Sequence, residues 1–138
     1  MIELDHIGIA VKNIEDFSKM FNDFFDTDFK EVLKVPSQSV KAAFSAPDSK
    51  IELIEAIGEN SQQYPMLNHP VLSFIDKKGE GMHHLCFNVD DLEAYVLKLK
   101  EKGVTLVGDG IMTGSYGHKI CFINPKFTKG ILIELKQK

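Results

Sequence analysis

The chain repeats one sequence pattern, and this repeat limits the folds that it can adopt. Segment 4–15 reads LDHIGIAVKNIE and segment 82–93 reads MHHLCFNVDDLE, so each carries a histidine at the same place, at an offset of 84 − 6 = 78 residues. The repeated histidines are His6 and His84, and the repeated glutamates, each between an isoleucine and a leucine, are Glu52 and Glu134. Duplication of this kind predicts two similar modules with a functional site where they meet.

The first half predicts the element order βαβββ. Alternating apolar residues predict a strand through Ile7 and Ile9, with His6 on its opposite face. Asn13 is a good N-cap, and apolar residues at helical spacing predict a helix over Ile14 to Phe25. Three short β runs follow, near residues 30–35, 40–45 and 50–56.

The second half predicts the same order. A strand over 82–89 leads to Asp90, which with Glu93 resembles a capping box, and the helix after it ends at Gly103. Strands are expected near residues 105–107, 119–124 and 130–135. Between the halves, Pro70 is expected to begin a short connecting helix.

These elements predict an α+β fold in which two tandem βαβββ modules form a curved, partly open mixed barrel. We expect a single domain over residues 1–138, because 43% hydrophobic residues suffice for a core. The modules would cover about 1–57 and 81–138, joined by a linker at about 58–80.

Composition excludes several classes of function. The net charge is −4 and the lysines are scattered, which argues against nucleic acid as a partner. No apolar run reaches the roughly 20 residues of a membrane span, and the acidic N-terminus is unlike a signal peptide, so we expect a cytoplasmic protein. Cys86 and Cys121 lack metal or disulfide spacing, and we interpret both as core thiols. All 16 basic residues are lysine.

Strand alternation places His6, Glu52, His84 and Glu134 on faces opposite to their apolar neighbours. A single histidine or glutamate in a strand is commonly structural, but the duplication of both favours a shared metal site. Nitrogen and carboxylate ligands suit a divalent ion such as Co²⁺, Ni²⁺, Mn²⁺, Fe²⁺ or Zn²⁺.

The other histidines have no repeated partner of this kind. His83 corresponds to Asp5 in the first half, and we interpret it as structural. His69 and His118 have no duplicate, and the glycine-rich turn around His118 predicts either a substrate loop or a hairpin.

The paired modules and the order His, Glu, His, Glu resemble the vicinal oxygen chelate superfamily, which includes glyoxalase I, extradiol dioxygenases and the fosfomycin and bleomycin resistance proteins. Segments 4–11, 79–84 (GEGMHH) and 124–135 are most similar to its methylmalonyl-CoA epimerases. The resemblance covers nearly the whole chain. It implies one divalent ion bound by His6, Glu52, His84 and Glu134. Two departures are an apparent insertion over Gln62–His69 and Ser39 in place of an expected glycine.

The resemblance implies epimerisation of a small-molecule thioester, methylmalonyl-CoA, by removal of its α-proton through an enolate that the metal chelates. Glu134 and Glu52 would be the catalytic groups, as ligands that also transfer the proton. Without arginine, the substrate phosphates would need lysines and backbone N–H groups. The polar residues expected near the substrate are Gln38, Lys41, Ser115, Lys119 and Lys126. We also expect a homodimer, because sheet edges between modules favour pairing.

Two alternatives stay open at this point. An isomerase of the glyoxalase I type, a lactoylglutathione lyase, would use the same ligand types, although the absence of arginine argues mildly against glutathione. A non-catalytic binding protein of the bleomycin resistance kind would typically lack the complete ligand set.

Overall fold

The computed structural model describes residues 2–57 and 69–138, and its elements follow the predicted order. The first half contains β1 (Glu3–Ala10), α1 (Ile14–Phe25), β2 (Leu33–Val35), β3 (Val40–Phe44) and β4 (Ile51–Ala56). The helix α2 (Pro70–Lys78) connects it to the second half. There the elements are β5 (Gly81–Val89), α3 (Leu92–Glu101), β6 (Met112–Thr113), β7 (Lys119–Ile123) and β8 (Ile133–Gln137).

The strand order in the sheet is β2-β3-β4-β1-β5-β8-β7-β6, which shows the repeat directly. In each half the first strand pairs in parallel with the last one, β1 with β4 and β5 with β8. The pairs β2 with β3, β3 with β4, β6 with β7 and β7 with β8 are antiparallel. The two βαβββ modules and the α+β fold class are therefore confirmed.

The chain forms two compact units whose borders fall inside strands. The central unit is Ile7–His83, and the terminal unit combines the residues up to His6 with His84–Lys138. The chain thus passes from one unit to the other directly after His6 and directly before His84. Each unit has hydrophobic clusters of its own.

In the central unit, α1 packs on the face of β1 that carries Ile9, as the alternation predicts. The helix starts where the side chain of Asn13 accepts a hydrogen bond from the Asp16 N–H at 2.9 Å. The other face is covered by α2, whose Val71 packs with Ala10 and Ile54. The sequence predicts α2 but not the face that it covers.

In the terminal unit, α3 packs on the apolar face of β7 and β8 through Leu92 and Val96. Its N-cap is Asp91, whose side chain accepts from the Ala94 N–H at 2.9 Å, and not Asp90 as the capping pattern predicts. Asp91 directly precedes the first helical residue, so its carboxylate reaches the free N–H groups of the first turn.

The predicted strands near 105–107 and 130–135 need correction. Leu106 makes only an isolated bridge to Ile123 and packs against the cluster of α3, while the sheet ends at β6 instead. The last strand, β8, starts at Ile133, because Gly130, at φ 88°, still belongs to the preceding turn.

Ser39, where glycine was expected, has φ 52°, a left-handed conformation that glycine adopts most easily. The apparent insertion at Gln62–His69 lies outside the described residues except for His69. Within residues 2–57 and 69–138, no helix has both the length and the apolar composition needed to cross a bilayer.

Candidate metal centre

The two repeated histidines meet inside the terminal unit. Their Nε2 atoms lie 3.3 Å apart, and their rings are nearly perpendicular, at 83°. Both residues are buried, with 3% exposure for His6 and 6% for His84. Neutral imidazole nitrogens that converge in a buried place are suited to bind a metal ion.

Glu134 brings a carboxylate to the same place. It lies on β8 opposite Cys86 of β5, and its Oε2 is 3.1 Å from Nε2 of His84 and 3.9 Å from Nε2 of His6. Two neighbouring ligands of one metal ion, each about 2.0–2.2 Å from it at tetrahedral or octahedral angles, lie about 2.8–3.6 Å apart. The two shorter separations match this spacing, so the three side chains fit a divalent ion.

Glu52, the fourth predicted ligand, belongs to the central unit. It lies on β4 between Gly8 of β1 and Phe44 of β3, and only 6% of it is exposed. A carboxylate is buried at a large free-energy cost unless its charge is compensated. Its position therefore differs from that of an ordinary solvent-facing strand residue.

Asp5 is a functional candidate that the sequence did not indicate. Its Oδ2 lies 2.7 Å from Nδ1 of His6, Asn88 donates to its Oδ1 at 2.8 Å, and the Lys136 ammonium donates to both oxygens at 3.1 Å. The hydrogen bond to His6, with those from Asn88 and Lys136, holds the pKa of the Asp5 carboxyl far below its ordinary value, although partial burial opposes this. The Lys136 ammonium, which donates to both oxygens, balances the charge of this carboxylate. A polar residue directly before the histidine was the only signal in the sequence.

The residues expected near the substrate lie in several places. Lys41 pairs with Glu55 at 3.4 Å, on the α1 side of β3 and β4. Lys119 contacts Glu93 of α3 at 3.1 Å, and the ammonium of Lys126 lies 5.0 Å from the ring centre of Phe127. The other two lie in short 3₁₀ turns, Gln38 in Pro36–Gln38 and Ser115 in Ser115–Gly117.

Strand alternation gives Lys41 the face opposite to Glu52, and Lys119 the face opposite to Phe122, the register partner of Glu134. The structure does not bring these two lysines to the buried carboxylates. The substrate roles of all five residues stay predictions.

His83, His69 and the two cysteines have structural surroundings. The His83 ring lies 5.0 Å from that of Phe74. His69, 1% exposed, is the N-cap of α2. Both cysteines are free and buried, as predicted. Burial, together with the nearby charge of Glu134, raises the pKa of the Cys121 thiol to about 11.

Known proteins are similar to this chain in sequence and in fold. A family model described as the Glyoxalase/Bleomycin resistance protein/Dioxygenase superfamily matches residues 5–122. The mitochondrial methylmalonyl-CoA epimerase of Mus musculus is 32% identical over 136 residues, which cover 97% of this chain and 72% of the mouse protein.

Two solved structures agree with this relationship. Methylmalonyl-CoA epimerase from Mycobacterium tuberculosis has a TM-score of 0.83 at 29% identity, covering 97% of this chain and 86% of that chain. A variant of the Streptomyces coelicolor methylmalonyl-CoA epimerase, in complex with 2-nitronate-propionyl-CoA, has a TM-score of 0.84 at 26% identity, covering 99% of this chain and 94% of that chain.

Proposed function

Since the chain belongs to the Glyoxalase/Bleomycin resistance protein/Dioxygenase superfamily, as a methylmalonyl-CoA epimerase-like member, we propose that it is a metal-dependent epimerase of methylmalonyl-CoA. The observation that carries the proposal is the convergence of His6, His84 and Glu134 within 3.1–3.9 Å of one another. The names of the relatives favour an epimerase over a glyoxalase or a non-catalytic binding protein.

The ion would be held by Nε2 of His6, Nε2 of His84 and a carboxylate oxygen of Glu134, with Glu52 as the fourth ligand. The burial of Glu52 supports this assignment, as does its pairing with Gly8, two residues after His6 on β1. Alternation gives the side chains of His6 and Glu52 the same face of the sheet. When bound, the ion would act as a Lewis acid that stabilises negative charge on the substrate.

Glu134 and Glu52 would move the proton. Epimerisation removes the α-proton from one face of the substrate and returns a proton to the other, so it needs groups that hold a proton in between. A positioned carboxylate oxygen can serve as such a general base and acid. Burial would keep bulk water away from the substrate while its α-carbon is deprotonated.

The proposed substrate is a coenzyme A thioester, as in the Streptomyces coelicolor complex. Its phosphates would meet lysine ammonium groups and backbone N–H groups, because the chain has no arginine. We also propose that the protein acts as a homodimer.

Hydrogen exchange in D₂O tests this function directly. The metal-loaded protein is expected to exchange the α-proton of methylmalonyl-CoA, and removal of the metal with a chelator is expected to abolish the exchange. The hemithioacetal of glutathione and methylglyoxal is the matched control substrate, and its isomerisation is expected to be far slower. Turnover of the hemithioacetal without exchange of methylmalonyl-CoA would make the protein a glyoxalase instead.

A further inference from the structure

We propose that Asp5, clamped by Asn88 and Lys136, is a positioning residue that keeps the proton of His6 on Nδ1 and leaves Nε2 free for the metal. The inference rests on the metal site of the proposed function and assigns a role to residues outside the four ligands. All the contacts that carry it lie within the terminal unit.

The Asp5 carboxylate accepts four hydrogen bonds. Its Oδ1 accepts from Asn88 at 2.8 Å and from the Lys136 ammonium at 3.1 Å. Its Oδ2 accepts from the same ammonium at 3.1 Å and contacts Nδ1 of His6 at 2.7 Å. Two acceptor positions on each oxygen are thereby used, so the carboxylate is fixed in position.

These contacts determine the tautomer of His6. Asn88 and the Lys136 ammonium can only donate to the Asp5 oxygens, so Asp5 is an acceptor in these contacts and the 2.7 Å contact places a proton on Nδ1 of His6. In the neutral ring, Nε2 then carries a lone pair, and this is the atom that faces His84 and Glu134. A carboxylate that donates no proton but orients an imidazole in this way also makes it a stronger metal ligand.

The same contacts separate Asp5 from the carboxylates proposed for catalysis. Lys136 balances the charge of Asp5, and the contacts with Asn88, Lys136 and His6 occupy both of its oxygens. Glu134 instead directs Oε2 at the histidine nitrogens. The contacts thus give Asp5 the role of orienting His6, and give Glu134 the role of a metal ligand.

The hydrogen bonds that hold the histidine ring belong to one copy of the repeat, the copy that contains His6. At the offset of 78 residues, His83 replaces Asp5 and Ala10 replaces Asn88, and the residue that corresponds to Lys136 on β4 is Ile54. Ala10 and Ile54 are core residues, and His83 lies against Phe74. The positions that correspond to Asn88 and Lys136 are therefore apolar in the other half. His6 and His84 thus have different surroundings.

NMR of ¹⁵N-labelled histidine and metal titration together test the proposal. In the metal-free wild type at alkaline pH, where imidazoles are neutral, His6 is expected to be protonated on Nδ1. In Asp5→Asn, the amide oxygen is expected to keep Asn88 and Lys136 as donors, which turns the amide nitrogen toward His6. The proton should then move to Nε2, and Co²⁺ affinity, measured by competition with a chelating indicator, should fall about 10–100-fold.

The matched control is Glu3→Gln. Glu3 lies on β1 two residues before Asp5 and pairs with Lys138, two residues after Lys136, but this ion pair is exposed. The control is expected to leave both the tautomer and the Co²⁺ affinity unchanged. Lys136→Gln, which removes only the balancing charge, should lower the Co²⁺ affinity less than Asp5→Asn does. If Asp5→Asn does not fold, Lys136→Gln tests the proposal in its place.

Three results would overturn the proposal: Nε2 protonation of His6 in the wild type, Co²⁺ affinity in Asp5→Asn equal to that of Glu3→Gln, or unchanged affinity in Lys136→Gln if only that variant folds. Its failure is distinguishable from failure of the proposed function. A wild type that binds Co²⁺ tightly but does not exchange the α-proton of methylmalonyl-CoA would refute the epimerase alone. Normal exchange activity with unchanged Co²⁺ affinity in Asp5→Asn would refute the role of Asp5 alone.

Discussion

His6 and His84 are each almost fully buried, and their Nε2 atoms point at each other across 3.3 Å. Two neutral imidazoles at this distance can share at most one hydrogen bond between their Nε2 atoms. A divalent ion would satisfy both lone pairs at once, together with the Glu134 carboxylate. The buried arrangement of the two histidines is therefore expected to depend on the bound ion for its stability, more than the burial of an isolated histidine would.

His84→Ala is expected to remove the bound metal and the epimerase activity together while the protein still folds, because its β5 strand keeps its apolar contacts. The measurement is metal content by elemental analysis, with circular dichroism to confirm the fold. His118→Ala is the control, since His118 lies outside the group of converging ligands. Stoichiometric metal in purified His84→Ala would contradict the assignment of His84 as a ligand.

The faces of His6 and His84 follow from strand alternation, so the sequence could predict them. The role of Asp5 could not be predicted in this way, because Asn88 and Lys136, which fix it, lie 83 and 131 residues further along the chain. Alternation gives the face of a side chain but not its partner on another strand. For the same reason, the pairing of Lys41 with Glu55 was missed.

At the scale of elements, α2 is held by an unusual N-cap. Nδ1 of His69 accepts from the Val71 N–H at 3.1 Å, and its Nε2–H donates to the Ser39 carbonyl at 2.8 Å. That carbonyl also accepts from Ile57 N–H at 2.8 Å. One buried imidazole thus joins the start of the helix to the turn before β3, within the central unit.

His69→Ala is expected to lower the free energy of unfolding by about 2–3 kcal/mol, because both the cap and the bond to Ser39 are lost. Urea denaturation measures this change. Asn13→Ala, which removes the N-cap of α1, is the matched control and should cost about 1 kcal/mol. An equal loss in the two variants would show that the bond to Ser39 contributes nothing measurable.

The sequence predicted α1 to its terminal residues, because a strong N-cap and a clear apolar stripe act locally. The sequence did not predict β6, which is only two residues long and forms by pairing with Lys119 and Ile120. The segment around Leu106 has the composition of a strand, but its side chains contribute instead to the cluster of α3. Packing here overrides local preference.

At the scale of the whole molecule, we expect a homodimer. The strand order begins with β2 and ends with β6, and the outer edge of such a strand can pair with another chain. Light scattering after gel filtration should give twice the mass of one chain, at micromolar concentration and with metal bound. The metal-free protein is the control for a metal-dependent assembly. A mass of one chain under both conditions would exclude the dimer.

Because His6 and His84 lie at the borders of the two units, the proposed metal would also restrict the conformations of the chain between them. His6 and His84 directly flank the segment Ile7–His83, and their Nε2 atoms lie 3.3 Å apart. An ion bound by both imidazoles would be a removable cross-link that closes this segment into a ring. In a partly unfolded chain that keeps both bonds, the ends of the ring stay together, and the segment loses conformational entropy before it folds. A chelator would thus change the folding of the whole segment, in which Glu52 alone is proposed to bind the ion.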